Sequence, residues 1–154
     1  MIRPSSEPLA PRRPVAVEST PKVLLVEDYP ETRAIFRLVL ESAGFEVLEA
    51  SNAEDGLQRA TGEHPDVILT DLVMPGMSGV DAARILRRRP DTGTIPIVAA
   101  TGSVSARSLS HETRRWFVEV LEKPVQPEEL VRAVREALDD ESLDGHISLP
   151  ESAG

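Results

Sequence analysis

Five positions in this sequence hold side chains that, gathered in one place, could do chemistry. The run DVILTD ends on Asp71 and a Met-Pro-Gly turn follows at once, so a carboxylate closes what reads as a buried strand. Glu27 and Asp28 follow the apolar run KVLLV, Thr101 follows IPIVAA, and Lys123 stands before Pro124 after VEVLE. Three carboxylates close together repel and resist full ionisation. A hard divalent cation removes that conflict. Magnesium takes about six oxygens, keeps waters, and is commonly held by one or two carboxylates plus phosphate oxygens. A carboxylate beside such a cation is a nucleophile towards phosphorus and gives an acyl phosphate. An ammonium and a hydroxyl on the same rim would neutralise and hydrogen-bond the transferring group, and positioning with charge neutralisation is most of what phosphoryl transfer requires.

Taken singly, each residue has a plainer reading. Asp71 alone would be a turn or helix-capping aspartate, and Glu27–Asp28 alone a capping pair before a helix. Thr101 alone would be a turn residue and Lys123 alone a solvated cation. Their joint occurrence at successive strand ends carries the chemical reading. Other features carry less. Arg87–Arg89 read as a solvated helix end that complements the helix dipole. His64, His111 and His146 lack metal-ligand spacing, since the residue four after His111 is Arg115. Gly76-Met77-Ser78-Gly79-Val80 misses the nucleophile elbow because its last position is not glycine. Trp116 reads as packing.

The elements that must position these residues follow from hydrophobic pattern. Lys22–Glu27 is a short, nearly all-apolar run, the signature of a strand buried on both faces. Pro30 opens a helix, where a missing N–H costs nothing, with Ile35, Leu38 and Val39 at helical spacing and Gly44 as its stop. Phe45–Ala50 reads as a second strand, and Asn52 as the cap of a short helix to about Ala60. Asp66–Thr70 is the third strand, and Ser78 caps a helix that ends before Pro90. Ile95–Ala100 is the fourth strand, Ser105–Trp116 a helix, and Val118–Leu121 the fifth strand. Pro127 opens a last helix with Leu130, Val131, Val134, Ala137 and Leu138 on one stripe. Alternating strands and helices predict an α/β, doubly wound, five-stranded parallel sheet covered on both faces. Sites in such sheets form beyond the carboxyl ends of the strands, where all five side chains are expected to meet.

The totals agree. The 154 residues, 40% hydrophobic and 28% charged, suit one domain with an aliphatic core, for aromatics are only 3%. Of the net charge of −9, residues 1–21 carry +1, residues 22–138 carry −5 and residues 139–154 carry −5. An acidic core speaks against direct nucleic-acid binding. With no cysteine, disulfides, thiolate metal sites and cysteine nucleophiles are excluded. No apolar run reaches signal-peptide or membrane-spanning length, so a cytoplasmic protein without membrane insertion is expected. Proline-rich residues 1–21 read as a disordered arm and residues 139–154 as an acidic tail.

The segments VLLVEDYPETR, LTDLVMPGMSG, IPIVAATG and the EKP at 122–124 resemble, in order and spacing, the receiver domain of bacterial response regulators. The resemblance covers about residues 22–138 and implies a flavodoxin-like (βα)5 fold with strand order 2-1-3-4-5. It implies a stand-alone phosphoacceptor of a two-component phosphorelay. Asp71 would take a phosphoryl group from a histidine kinase or phosphotransfer protein. Glu27, Asp28, Asp71 and the Val73 backbone carbonyl would hold Mg2+. Thr101 would be the switch hydroxyl and Lys123 the phosphoryl-binding lysine, with a cis bond to Pro124. Such a protein catalyses its own phosphorylation and dephosphorylation, and signals through a downstream target protein. Phosphorylation is expected to draw Thr101 inward. The sequence departs from the family at Val120, where an aromatic ring is usual, and at Trp116-Phe117, where Gly-Ala is usual. Two alternatives remain: a pseudo-receiver scaffold that takes no phosphate, and an aspartate-nucleophile phosphatase, against which Val73 stands where a second aspartate belongs.

Overall fold

The computed structural model describes residues 19–139; the expected N-terminal arm, up to residue 18, and the acidic tail, from residue 140, lie outside the described residues. Five strands form one parallel sheet: β1 (Lys22–Val26), β2 (Glu46–Ala50), β3 (Val67–Thr70), β4 (Ile97–Thr101) and β5 (Glu119–Glu122). Their order is β2-β1-β3-β4-β5, as the resemblance implies. Six helices connect and follow them: α1 (Pro30–Ser42), α2 (Ala53–Glu63), α3 (Gly79–Arg88), α4 (Ser103–Ser108), α5 (His111–Arg114) and α6 (Pro127–Asp139).

Alternation along the strands builds two cores. Val23, Leu25, Val67, Leu69, Val98, Ala100 and Leu121 point to the side covered by α1 and α6, where Phe36, Leu40, Leu130 and Val134 meet them. Leu24, Val26, Ile68, Ile97 and Ala99 point to the other side, against Leu57 and Ala60 of α2 and Ala83 and Leu86 of α3. Because both faces are buried, the strands read as unbroken apolar runs.

Local chemistry sets the helix ends. Pro30 is the first residue of α1, and Gly44 beyond its end has φ +101°, a conformation that favours glycine. The Asn52 side chain accepts from the Asp55 N–H at 2.8 Å, and Ser78 accepts from the Asp81 N–H at 3.0 Å. Helix α2 runs past Ala60 to Glu63. Its end is marked by His64 in a left-handed conformation and by Pro65, which cannot continue a helix.

The single helix expected over Ser105–Trp116 is two. Leu109 is extended and turns its side chain to the second core, while the Ser110 hydroxyl accepts from the Thr113 N–H at 3.1 Å and starts α5. Strand limits also shift by a residue or two. Thr101, expected just past its strand, is the last residue of β4, in register with Glu122 of β5.

Candidate functional site

The carboxyl edge of the sheet gathers the chemistry. Asp71 directly follows β3, and its N–H donates to the Val26 carbonyl at 3.1 Å, so it is still fixed by β1. Glu27 follows β1 and is fixed from the other side by its N–H bond to the Ala50 carbonyl at 3.0 Å. Lys123 follows β5, its N–H on the Thr101 carbonyl at 2.8 Å, and its bond to Pro124 is cis. Each of these three residues is therefore the next rung of the sheet's own ladder, which gives this part of the site the rigidity of the sheet.

The Asp71 carboxylate is held by both oxygens. Oδ1 accepts from the Thr101 hydroxyl at 2.8 Å, from the Leu72 N–H at 2.6 Å and from the Val73 N–H at 3.2 Å. Oδ2 accepts from the Lys123 ammonium at 3.0 Å. The same ammonium reaches Glu27 Oε1 at 2.9 Å, and Glu27 Oε2 accepts from the Tyr29 N–H at 3.2 Å. Glu27 is only 2% exposed, and burial pushes its carboxyl above the usual range against the pull of Lys123. For Lys123, burial works against the charge, but the hydrogen bonds to Glu27 and Asp71 outweigh it and raise the ammonium above its ordinary value.

One carboxylate oxygen from each of Glu27, Asp28 and Asp71 lies within 4.8 Å of the others. Among the described residues, Asp28 makes no side-chain hydrogen bond or ion pair, and Lys123 is the one cation that pairs with Glu27 and Asp71. Three hard oxygen donors facing one ammonium leave negative charge unbalanced, and that donor set fits a hard divalent cation.

The loop after Asp71 is shaped by close approach. A Cβ on Gly79 would lie 2.1 Å from the Asp71 carbonyl oxygen, so α3 can begin against the aspartate loop only with glycine there. This accounts for the last residue of LTDLVMPGMSG.

The structure thus brings together Glu27, Asp28, Asp71, Thr101 and Lys123. Thr101 differs from expectation in one respect. It is fully buried and already turned inward onto Asp71, so a phosphoryl group there would exchange its acceptor and need not draw it across a gap.

The reading of Arg87–Arg89 as a solvated helix end is corrected. Arg87 is part-buried: Nε and Nη2 donate to the Trp116 carbonyl at 3.1 and 2.7 Å, and Nη1 donates to the carbonyls of Gly93 and Ile95 at 3.1 and 2.6 Å. Burial brings this guanidinium down to about 10. Arg89 reaches the Thr61 hydroxyl at 3.0 Å, leaving Arg88 as the exposed member of the run. A signal existed, since Val80, Ala83 and Arg87 share the spacing of the helix's inner stripe. Val120 packs on the same side of the sheet as Trp116 and Phe117.

Comparison with known proteins points one way. The model of the response regulator receiver domain matches residues 23–135. Protein PilH of Pseudomonas aeruginosa is 34% identical over 117 residues, 76% of this chain and 97% of PilH. A crystal structure of a response regulator receiver domain protein from Clostridium thermocellum superposes with a TM-score of 0.72 at 29% identity, over 80% of this chain and 98% of that one. Response regulator TrrA of Thermotoga maritima, solved in complex with Mg2+ and BeF, superposes with a TM-score of 0.70 at 26% identity, over 77% of this chain and all of that one.

Proposed function

The chain belongs to the response regulator receiver domain family, the phosphoacceptors of two-component signalling, and from that premise we propose that Asp71 is its phosphoacceptor. The observation that carries the reading is the Asp71 carboxylate, positioned on both oxygens by Thr101, Lys123 and two backbone N–H groups at the edge of a buried sheet. An Asp71 oxygen attacks the phosphorus of a phosphohistidine on a histidine kinase or phosphotransfer protein. The new O–P bond forms as the N–P bond breaks, and the imidazole leaves with the bonding pair and takes a proton from solvent. Lys123 neutralises charge on the phosphoryl oxygens and Thr101 donates a hydrogen bond to one of them.

Glu27, Asp28, Asp71 and the Val73 carbonyl would hold Mg2+. Bound there, the ion would neutralise charge on the transferring group. The solved Mg2+ and BeF complex of TrrA supports this choice of metal. The working unit is residues 22–138, with residues 1–21 and 139–154 as appendages. The partners are the phosphoryl donor and a downstream target protein. No helix among the described residues is long and apolar enough to cross a membrane. Family membership removes the phosphatase alternative. The scaffold reading keeps one observation in its favour, the absence of a ring at Val120.

Labelling tests the proposal. With acetyl phosphate and Mg2+ the protein should gain one acid-stable, base-labile phosphoryl group, and Asp71→Asn should gain none. Undiminished labelling of the variant would overturn the assignment, and no labelling of the native chain would favour the scaffold.

A further inference from the structure

Charge is divided sharply along this chain. Residues 22–78 hold eleven acids against four cations, whereas residues 79–116 hold seven arginines against three acids. A protein of net charge −9 therefore carries a segment of +4, and the fold brings Arg84 and Arg87 of that segment to Trp116, next to Arg114 and Arg115. The Arg84 guanidinium lies over the Trp116 ring, 5.4 Å from its centroid. Arg88 stands one helical turn further along the same face of α3. Arg87 grips the Trp116 carbonyl from below, and Arg114 and Arg115 lead into Trp116 at the end of α5. Arg114 also donates to the Ala106 carbonyl at 3.1 Å, which draws the end of α4 into the same group.

Arg88, Arg107, Arg114 and Arg115 are exposed. Arg84 is balanced by Asp81 at 2.8 Å and Arg107 weakly by Glu122 at 3.8 Å. Among the described residues, Arg88 and Arg115 have no acidic partner and make no side-chain hydrogen bond. Uncompensated guanidinium groups beside a partly exposed indole combine two of the side chains most enriched at protein-binding hot spots, and guanidinium forks match carboxylates in pairs.

We propose that the surface formed by Arg84, Arg88, Arg114, Arg115 and Trp116 is a docking site for an acidic segment of a partner protein. Charge complementarity selects the occupant. Nucleic acid is disfavoured because the remainder of the domain is strongly acidic and would repel a phosphate backbone, and because the stacking surface is a single indole. The site is separate from Asp71 and is formed without phosphate, so its test does not depend on the phosphoacceptor reading.

The experiment uses the full-length, unphosphorylated chain and a short fluorescein-labelled peptide of alternating Glu and Leu, read by fluorescence anisotropy and Trp116 emission. Binding should be saturable, change the Trp116 emission, and weaken with added salt. The double variant Arg88→Glu/Arg115→Glu should bind at least about tenfold more weakly, the scale expected when attraction is turned to like-charge repulsion. Its melting temperature and far-ultraviolet circular dichroism should be retained, which separates a lost surface from a lost fold. Arg59→Glu, a reversal on α2 outside the surface, should leave the affinity unchanged. The proposal is overturned if the peptide does not bind, if the double variant binds as well as the native chain, if Arg59→Glu weakens binding equally, or if duplex DNA binds more tightly than the peptide.

Discussion

Lys123 serves two carboxylates with one ammonium, at 2.9 Å from Glu27 and 3.0 Å from Asp71, while Asp28 stands beside them unpaired among the described residues. This imbalance predicts a stability effect of metal. An ion that binds only the folded chain stabilises it by mass action, about 2.7 kcal/mol at a hundredfold excess over its dissociation constant. The melting temperature should therefore rise by several degrees in millimolar Mg2+, and Asp28→Ala should blunt the rise. Identical melting in Mg2+ and in chelator would show that the cluster holds no ion. At this scale the sequence was legible where position alone places a side chain: Glu27, Asp71 and Lys123 each follow an apolar run, and the strand end delivers them to one edge. It was not legible where the role depends on which way a side chain turns. Thr101 was readable as a nearby hydroxyl but not as one already bonded to Asp71, and Arg87 was read with its solvated neighbours.

Helix α3 links the site to the far side of the domain. It starts at Gly79 against the Asp71 carbonyl and ends where Arg87 satisfies three backbone carbonyls, of Gly93, Ile95 and Trp116. Replacing Arg87 with Met would keep much of the side chain's apolar volume but strand those acceptors. A loss of about 3 kcal/mol is expected, the scale of charged hydrogen bonds removed from a part-buried place. Arg88→Met, on the exposed face, should change stability by less than about 0.5 kcal/mol. Urea unfolding of the two variants checks the contrast, and equal losses would refute the clamp. The order and type of the elements were legible because each apolar run was short, bounded and followed by a helical stripe. The break at Leu109–Ser110 was not. The apolar residues Val104, Ala106 and Leu109 also suit one continuous helix, and only tertiary burial of Leu109 favours the extended turn that lets Ser110 start again.

For the molecule as a whole, the two cores lie within residues 23–138, and nothing in either comes from beyond them among the described residues. A chain cut to residues 20–140 should melt within a few degrees of the full chain and accept phosphate as well. A large loss of stability would show that an appendage docks on the domain. Lys123 and Glu27 are separated by 96 residues, and Lys123 and Asp71 by 52. No fragment ending before β5 has the ammonium that faces Asp71. During synthesis, the ribosome must release the final strand before Lys123 can meet Glu27 and Asp71. On the proposed role of Asp71, a copy that lacks β5 would lack the ammonium that faces the acceptor, and competence to receive a signal would double as a check that translation and folding have finished.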